Sequence, residues 1–176
     1  MRKTRKILAT LLTFAMLFSI FVGTSLPVMA AGPIAGSTLF WELNDDTLTI
    51  TGIGDMPNSW RIGTPSPWYN NNIKEVIISP GVTSIGQCAF VQCGSLESIA
   101  IPASVTRIEP SAFNGCTSLT SITIPDSVTS IGAQAFENCS SLESIAIPAG
   151  VERIEYATFR GCRGLTSIPI HAHETN

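Results

Sequence analysis

Apolar side chains recur every 23 residues across the second half of the chain. The clearest unit runs from Ile122 to Ser144 and reads I-x-I-P-x-S-V-T-x-I-G-x-x-A-F-x-x-C-x-S-L-x-S. Its fixed positions carry mainly Ile, Val, Phe, Cys and Leu, and small or polar residues lie between them. A fixed period of this length predicts a stack of coils that share one continuous core, and not a globule with a single enclosed pocket.

The repeats define the domain organisation. Four full units align without a gap, at 76–98, 99–121, 122–144 and 145–167. The first strand of a fifth unit extends the repeat domain to residue 170, so that the repeats span 76–170 and a tail spans 171–176. That tail contains both histidines, His171 and His173. A frayed chain end explains them, and weak metal chelation is the alternative.

Each unit predicts one strand, a turn and a compact return segment. Ile122 and Ile124 alternate with Thr123, which is typical of a short strand with one buried face. Pro125 ends the strand because it lacks the N–H that a central ladder needs. The stretch from Ala133 to Cys139 has helical spacing. We therefore expect an α/β solenoid with parallel strands on its concave face and helical or 3-10 return segments.

Four of the five cysteines occupy one column of the repeat: Cys93, Cys116, Cys139 and Cys162. Neighbours in such a column lie about 4.8 Å apart with parallel Cα–Cβ bonds. A disulfide needs Cβ atoms about 3.8 Å apart and a twisted dihedral angle, so we expect buried free thiols. A ladder of thiols also gives no tetrahedral metal cluster. Cys88 lies off the column, and we expect it to be the most exposed thiol.

The first residues have the features of a processing segment. Residues 1–30 combine a basic start with an apolar run from Ile7 to about Gly23, and they end on small residues. This pattern predicts a secretory signal peptide that is cleaved before Ala31, after which the chain would not insert into a membrane. An uncleaved anchor is the alternative, because the run is close to the shortest length that spans a bilayer.

The charge of the exported chain argues against several classes of function. Residues 31–176 carry six Lys or Arg and thirteen Asp or Glu, a net charge of −7. Nucleic acids and anionic lipids need clustered basic residues, so neither is expected as a partner. The sequence also suggests no catalytic Ser–His–Asp group and no nucleotide-binding glycine loop. We therefore expect a protein that is not an enzyme and uses no cofactor.

Residues 31–75 predict a small β module that caps the repeats. The segments 40–43 and 47–51 read as two strands of a hairpin around the turn at 44–46. All three tryptophans of the chain belong to this module: Trp41, Trp60 and Trp68. A solenoid needs a cap over its apolar end, so we expect the tryptophans to cover the first coil. An aromatic ligand site, for instance for a sugar ring, is the alternative.

The repeat unit resembles the leucine-rich repeats of the bacterial surface antigen BspA and its relatives, also called the Treponema pallidum type. The match covers residues 76–170 and is most specific at S-V-T-S-I-G, from Ser127 to Gly132. The preceding segment, with Trp41, Leu43 and T-L-T-I-T-G at 47–52, resembles the region that often precedes these repeats in secreted Firmicutes proteins. The resemblance implies a leucine-rich-repeat solenoid on or outside a bacterial cell and a role in adhesion.

The outward positions of the predicted strands form the candidate binding surface. They are Glu97, Ser98, Thr120, Ser121, Thr123, Glu143, Ser144, Thr166 and Ser167. The serine column predicts a shallow polar groove for a protein or glycan. The surface lacks the Trp, Tyr and Arg anchors that are typical of binding hot spots. A solvated face without a ligand is therefore the first alternative, and a site on the edge or the convex side is the second.

We expect a secreted or cell-surface bacterial protein that recognises host extracellular or bacterial surface proteins or glycans, as in adhesion. The alternative is a structural fragment, a cap plus repeats from a longer surface protein whose ligand site lies elsewhere. The unpaired parallel edge at residues 168–170 also predicts end-to-end self-association.

Overall fold

The computed structural model describes residues 30–58, 60, 65–69 and 71–167. The leader up to residue 29, the predicted fifth strand at 168–170 and the tail at 171–176 lie outside these ranges. The strands are β1 (Ala30–Pro33), β2 (Leu39–Asn44), β3 (Thr47–Gly52), β4 (Gly54–Asp55), β5 (Glu75–Ile78), β6 (Val82–Ile85), β7 (Ser98–Ala100), β8 (Arg107–Ile108), β9 (Ser121–Ile122), β10 (Ser130–Ile131) and β11 (Ser144–Ile145). Within the described ranges, no helix has the length and hydropathy needed to cross a membrane.

The strands that the sequence predicts lie in two sheets: β5 and β7 belong to a five-stranded sheet, which we call the first sheet, and β9 and β11 form a two-stranded sheet. β5, β7, β9 and β11 each come from one coil; β5 pairs in parallel with β7, and β9 pairs in parallel with β11. Inward residues of these strands are buried, with Val76 fully enclosed and Ile145 2% exposed. The prediction of a solenoid with stacked parallel strands is confirmed.

The N-terminal segment continues the first sheet. β2 pairs antiparallel with both β1 and β3, and β3 pairs in parallel with β5, with Leu48 opposite Val76. The strand order is therefore β1-β2-β3-β5-β7. The turn between β2 and β3 contains Asp45, which adopts a positive φ of 52°. Because β3 supplies the hydrogen bonds of a further coil, the edge of β5 is covered by backbone from this segment.

A second parallel sheet was not predicted. β4, β6, β8 and β10 form it in the order β10-β8-β6-β4. Each repeat strand of this sheet comes from the V-T-x-I part of the unit, in which the apolar residues are three apart and both buried, as for Val82 and Ile85. The prediction of one strand per unit is incomplete, since apolar residues three apart do not show the strict alternation from which a strand is predicted.

The return segments are series of turns, and the predicted helical form is not found among the described residues. In the first coil, the N–H groups of Cys88, Phe90 and Gln92 donate to carbonyls of the next coil, with N–O distances of 2.7–3.2 Å. The N–H groups between them donate three residues back within the coil. Cys88 and Gln92 adopt positive φ angles of 55° and 59°. Such left-handed residues interrupt a helix and turn alternate N–H groups towards the neighbouring coil.

A column of aromatic rings runs through the core. Phe90, Phe113 and Phe136 stack with ring centroids 5.3 Å apart, and Phe159 follows at 5.7 Å. Trp68 continues the column on the N-terminal side, with its ring 6.0 Å from Phe90. One aromatic residue per coil therefore packs against its equivalents, and the N-terminal segment supplies the first.

The cysteine column lies beside the aromatic column. All five cysteines are free thiols. The thiols of Cys116, Cys139 and Cys162 donate to the carbonyl oxygen of the phenylalanine in the preceding coil at 3.0–3.3 Å. The expectation that Cys88 is the most exposed thiol is wrong: Cys88 is 6% exposed, whereas Cys162 is only partly buried. Cys88 lies in a left-handed turn that the next coil covers.

Candidate functional site

The nine predicted binding residues lie on one surface, which we call the strand face. This is the outward face of the first sheet and its two-stranded continuation, β9 with β11. All nine side chains are exposed to solvent. The same position of successive coils carries Ser98, Ser121 and Ser144, which we call the serine row. The register aligns Ser121 with Ser144, and Ser98 with Glu75. The 23-residue period thus places chemically similar side chains side by side on this face.

A groove opens on the strand face between the last described coils. We call it the strand-face groove; its volume is 470 Å³. Six of the nine predicted residues line it: Ser121, Thr123, Glu143, Ser144, Thr166 and Ser167. The other three, Glu97, Ser98 and Thr120, lie outside it. Its floor is apolar, because Ile122, Ile124 and Ile145 also line it and are 2–7% exposed. The repeat pattern did not predict this floor.

Charge on the strand face is unevenly paired. Lys74 forms a salt bridge with Asp46 at 3.1 Å, and the hydrogen bond to that carboxylate raises the pKa of Lys74. Glu97 adds a smaller electrostatic contribution in the same direction. No salt bridge between residues that the structure describes involves Glu97 or Glu143. Among the described residues, the strand face therefore presents two carboxylates without a salt-bridge partner, while its lysine, Lys74, is already paired with Asp46.

A second groove, of 400 Å³, lies on the other sheet. β10 is the edge strand of that sheet, and the groove separates it from residues 150–155 of the fourth coil. Its polar lining includes Thr129, Glu152 and Arg153. This opening was not predicted. Its sequence signal is the loss of two residues of the preceding coils, since Gly150 and Glu152 stand where the second and third repeats carry serine and threonine; the first repeat also has a glycine, Gly81, at the first of these positions.

Hydrogen bonds join Asp55 to Thr83 and Arg107 near the start of the second sheet, whereas the buried Ser84 hydroxyl has no hydrogen-bond partner among the described residues. Asp55 accepts hydrogen bonds from Thr83 at 2.5 Å and from Arg107 at 2.9 Å. The Thr83 bond lowers the pKa of Asp55; burial opposes this shift, and the Arg107 charge adds to it. Arg107 also bonds Glu109 at 3.3 Å. These contacts join separate coils and explain the cluster without a ligand.

Glu137 is a buried carboxylate, 3% exposed, that connects three coils. Asn114 of the second coil donates to it at 3.1 Å, Gln134 of the third at 2.5 Å, and Arg160 of the fourth through Nε at 2.6 Å. Hydrogen bonding to Glu137 raises the pKa of Arg160. Because its donors belong to three different coils, Glu137 links these coils, and we call this arrangement the Glu137 clamp.

Two buried thiols of the cysteine column are held in the protonated form, whereas the hydrogen bond with Cys139 lowers the pKa of the partly buried Cys162. Burial raises the pKa of Cys93 to about 12, which keeps that thiol protonated at neutral pH. Burial also holds the pKa of Cys116 well above its usual range. In the part of the chain that the structure describes, no group of three or more His, Cys, Asp or Glu side chains could hold a metal ion.

Comparison with known proteins places these features in a family. The model for the BspA type leucine rich repeat region matches residues 64–176 in six copies. A leucine-rich repeat protein from Eubacterium ventriosum has a similar structure, with a TM-score of 0.66 and 27% identity over 80% of this chain and 40% of that one. The leucine rich repeat protein of T. pallidum has a TM-score of 0.55 and 31% identity over 70% of this chain and 63% of that one.

The chain therefore spans less than two thirds of either of these structures. A search of curated proteins gives no significant match.

Proposed function

Because the chain belongs to the BspA-type leucine-rich-repeat family, we propose that it is a secreted or cell-surface bacterial protein that recognises an extracellular protein or glycan. The strand face is the recognition surface, and adhesion is the biological role. Export is supported by the sequence of the leader. The observation that carries the proposal is the strand-face groove, where the stacking of coils brings together six exposed polar residues over an apolar floor.

The groove suits recognition better than catalysis. Its described lining consists of hydroxyl groups, one carboxylate and aliphatic side chains, with no histidine or cysteine. Nucleophilic and acid–base mechanisms need an activating base next to the nucleophile, and the lining supplies no such pair at hydrogen-bonding distance. Hydroxyl groups repeated across parallel strands instead offer donors and acceptors to an extended partner.

The N-terminal segment has a supporting role in this proposal: it caps the first coil. Trp68 is fully buried, and its Nε1 donates to the carbonyl oxygen of Ala89 at 2.8 Å. Trp41 and Trp60 pack edge-on against Trp68 at 6.2 Å and 5.1 Å. The buried rings of Trp60 and Trp68 are not available to stack on a sugar, and Trp41 is partly buried against them, which favours the cap over an aromatic ligand site.

A steric block tests the recognition surface. The full chain and its Ser144→Trp variant are screened against extracellular matrix proteins and a glycan array. We expect a partner of the unmodified chain to bind at least about tenfold more weakly to the variant, because an indole fills the groove. Ser140→Trp is the matched control, since Ser140 is an exposed serine outside the groove. Absence of any partner, or equal binding by both variants, would overturn the proposal.

A further inference from the structure

The strand face has a charge pattern that the proposed recognition role does not itself explain. The position just before the predicted strand of each unit carries Lys74, Glu97, Thr120, Glu143 and Thr166 in succession. Lys74 is paired with Asp46, and the described residues place no salt-bridge partner on either Glu97 or Glu143. Glutamate and threonine therefore alternate at this position from the first repeat to the fourth. Among the described residues at this position, the charges without a salt-bridge partner are negative.

The distance between these carboxylates is set by the stack. Glu97 and Glu143 belong to coils two steps apart; one step covers about 4.8 Å between paired parallel strands, and the aromatic rings of successive coils are 5.3 Å apart. The carboxylates therefore recur after about 10 Å along the axis of the stack. A polyproline II helix has three residues per turn and rises about 3.1 Å per residue, so that every third side chain faces the same way after about 9.3 Å. The two repeats match closely.

The serine row provides hydrogen-bonding groups for the backbone of such a polyproline II segment. A polyproline II segment has no internal hydrogen bonds and keeps its backbone groups free for a partner. Ser98, Ser121 and Ser144 are exposed at the same position of successive coils, and Ser121 lies opposite Ser144. Each hydroxyl can both donate and accept. Ala100 and Ala146 lie two residues further along their strands, and their small side chains leave room for a backbone to approach.

We propose that the strand face binds an extended, polyproline II-like protein segment with Lys or Arg at every third position. The segment lies across the strands, its basic residues face Glu97 and Glu143, and its backbone contacts the serine row. This inference rests on the proposed recognition function and narrows its partner from any protein or glycan to a basic extended polypeptide. Charge complementarity favours this occupant, because the open charges of the face are carboxylates.

Synthetic peptides provide the probe. A fluorescent peptide of about four Pro-Pro-Lys units is titrated with the full chain, and fluorescence anisotropy reports binding at about 50 mM and about 200 mM salt. We expect this peptide to bind more tightly than Pro-Pro-Glu units and more tightly than an equally charged peptide with lysine at every fourth position. Affinity should fall as salt rises, because the pairing is exposed to solvent.

Charge-neutral variants assign the binding to the two carboxylates. The double variant Glu97→Gln, Glu143→Gln should bind the lysine peptide about fivefold more weakly and lose most of the salt dependence. The matched control is Asp126→Asn, Glu152→Gln, which makes the same change in net charge at exposed residues away from the strand face. It should bind as the unmodified chain does.

The outcomes separate this inference from the function on which it rests. Equal binding of lysine and glutamate peptides, or equal affinity of the two double variants, would overturn the basic-segment inference. If a glycan or a folded protein then binds in a way that Ser144→Trp abolishes, the recognition function stands with a different occupant. If Ser144→Trp changes the binding of no partner, the recognition function itself fails.

Discussion

The third and fourth coils have nearly the same motif, yet they are held to their neighbours differently. The third coil pairs with its neighbours through β9, in the two-stranded sheet, and through β10, in the second sheet, and Ile131 is 1% exposed. The fourth coil pairs through β11 in the two-stranded sheet, but the second sheet ends at β10, and the equivalent Ile154 is 38% exposed. The aromatic column and the turn ladder continue through both coils. One side of the fourth coil has therefore separated while the others remain packed.

The difference coincides with two substitutions. In the earlier coils, Ser104 and Ser127 donate to Val82 and Val105 of the coil before at 2.7 Å. Gly150 occupies the same position in the fourth coil and has no side chain to do so. Glu152 likewise replaces a threonine whose N–H and hydroxyl donate to the preceding coil in the second and third coils. A repeat can therefore keep its apolar columns and still lose one sheet, because polar residues connect the coils there.

The aromatic column offers the largest test of this comparison. Phe136 is fully buried between two rings, and Phe159 is partly exposed at the edge of the described column. We expect Phe136→Ala to lower the free energy of unfolding by about 3–5 kcal/mol and Phe159→Ala to lower it by clearly less, measured by chemical denaturation. Equal losses would show that the fourth coil is as tightly packed as the third.

The Glu137 clamp gives an intermediate effect. Glu137→Ala removes a buried acceptor and leaves donors from three coils without it, so we expect a loss of about 1–3 kcal/mol in unfolding free energy. Glu155→Ala is the control, because the Glu155 pair with Arg153 lies within one coil and Arg153 is 81% exposed; its loss should stay below about 1 kcal/mol. If the control costs as much as Glu137→Ala, the clamp does not hold the fourth coil in place.

The period made the first sheet and the buried columns predictable from sequence. Side chains such as Val128 and Phe136 recur at fixed positions, and stacking then decides which face is buried. The same period predicts that the nine residues of the strand face share one surface. The strand-face groove was less predictable, because its apolar floor depends on how far neighbouring coils stand apart and not on residue type.

The second sheet and the return turns were less predictable for another reason. The spacing of Ala135, Phe136 and Cys139 suits a helix, but it also suits consecutive turns. The column before each cysteine decides between them: Gln92, Gly115, Asn138 and Gly161 all have positive φ angles, from 59° to 80°. Glycine and asparagine tolerate this conformation, so their alternation in one column is a sequence signal for turns. Such a signal becomes readable only when the repeats are aligned.

The smallest expected effect addresses the cause of the separation directly. Gly150→Ser restores the residue that connects the earlier coils. A Cβ atom at Gly150 would lie 3.4 Å from both Thr129 Cγ2 and Val128 O, so the side chain fits with little adjustment. Its hydroxyl could then donate to Val128, as Ser127 does to Val105. We expect the free energy of unfolding to rise by about 0.5–1.5 kcal/mol in chemical denaturation.

Ala149→Ser is the matched control for that variant, because it adds a hydroxyl at a neighbouring exposed position that has no equivalent hydrogen bond in earlier coils. It should leave stability unchanged within about 0.5 kcal/mol. If Gly150→Ser gives no gain over this control, the missing serine is not what opens the second groove. The second substitution, Glu152 in place of threonine, is then the remaining explanation. Its carboxylate cannot donate the hydrogen bond that the threonine hydroxyl donates in the second and third coils.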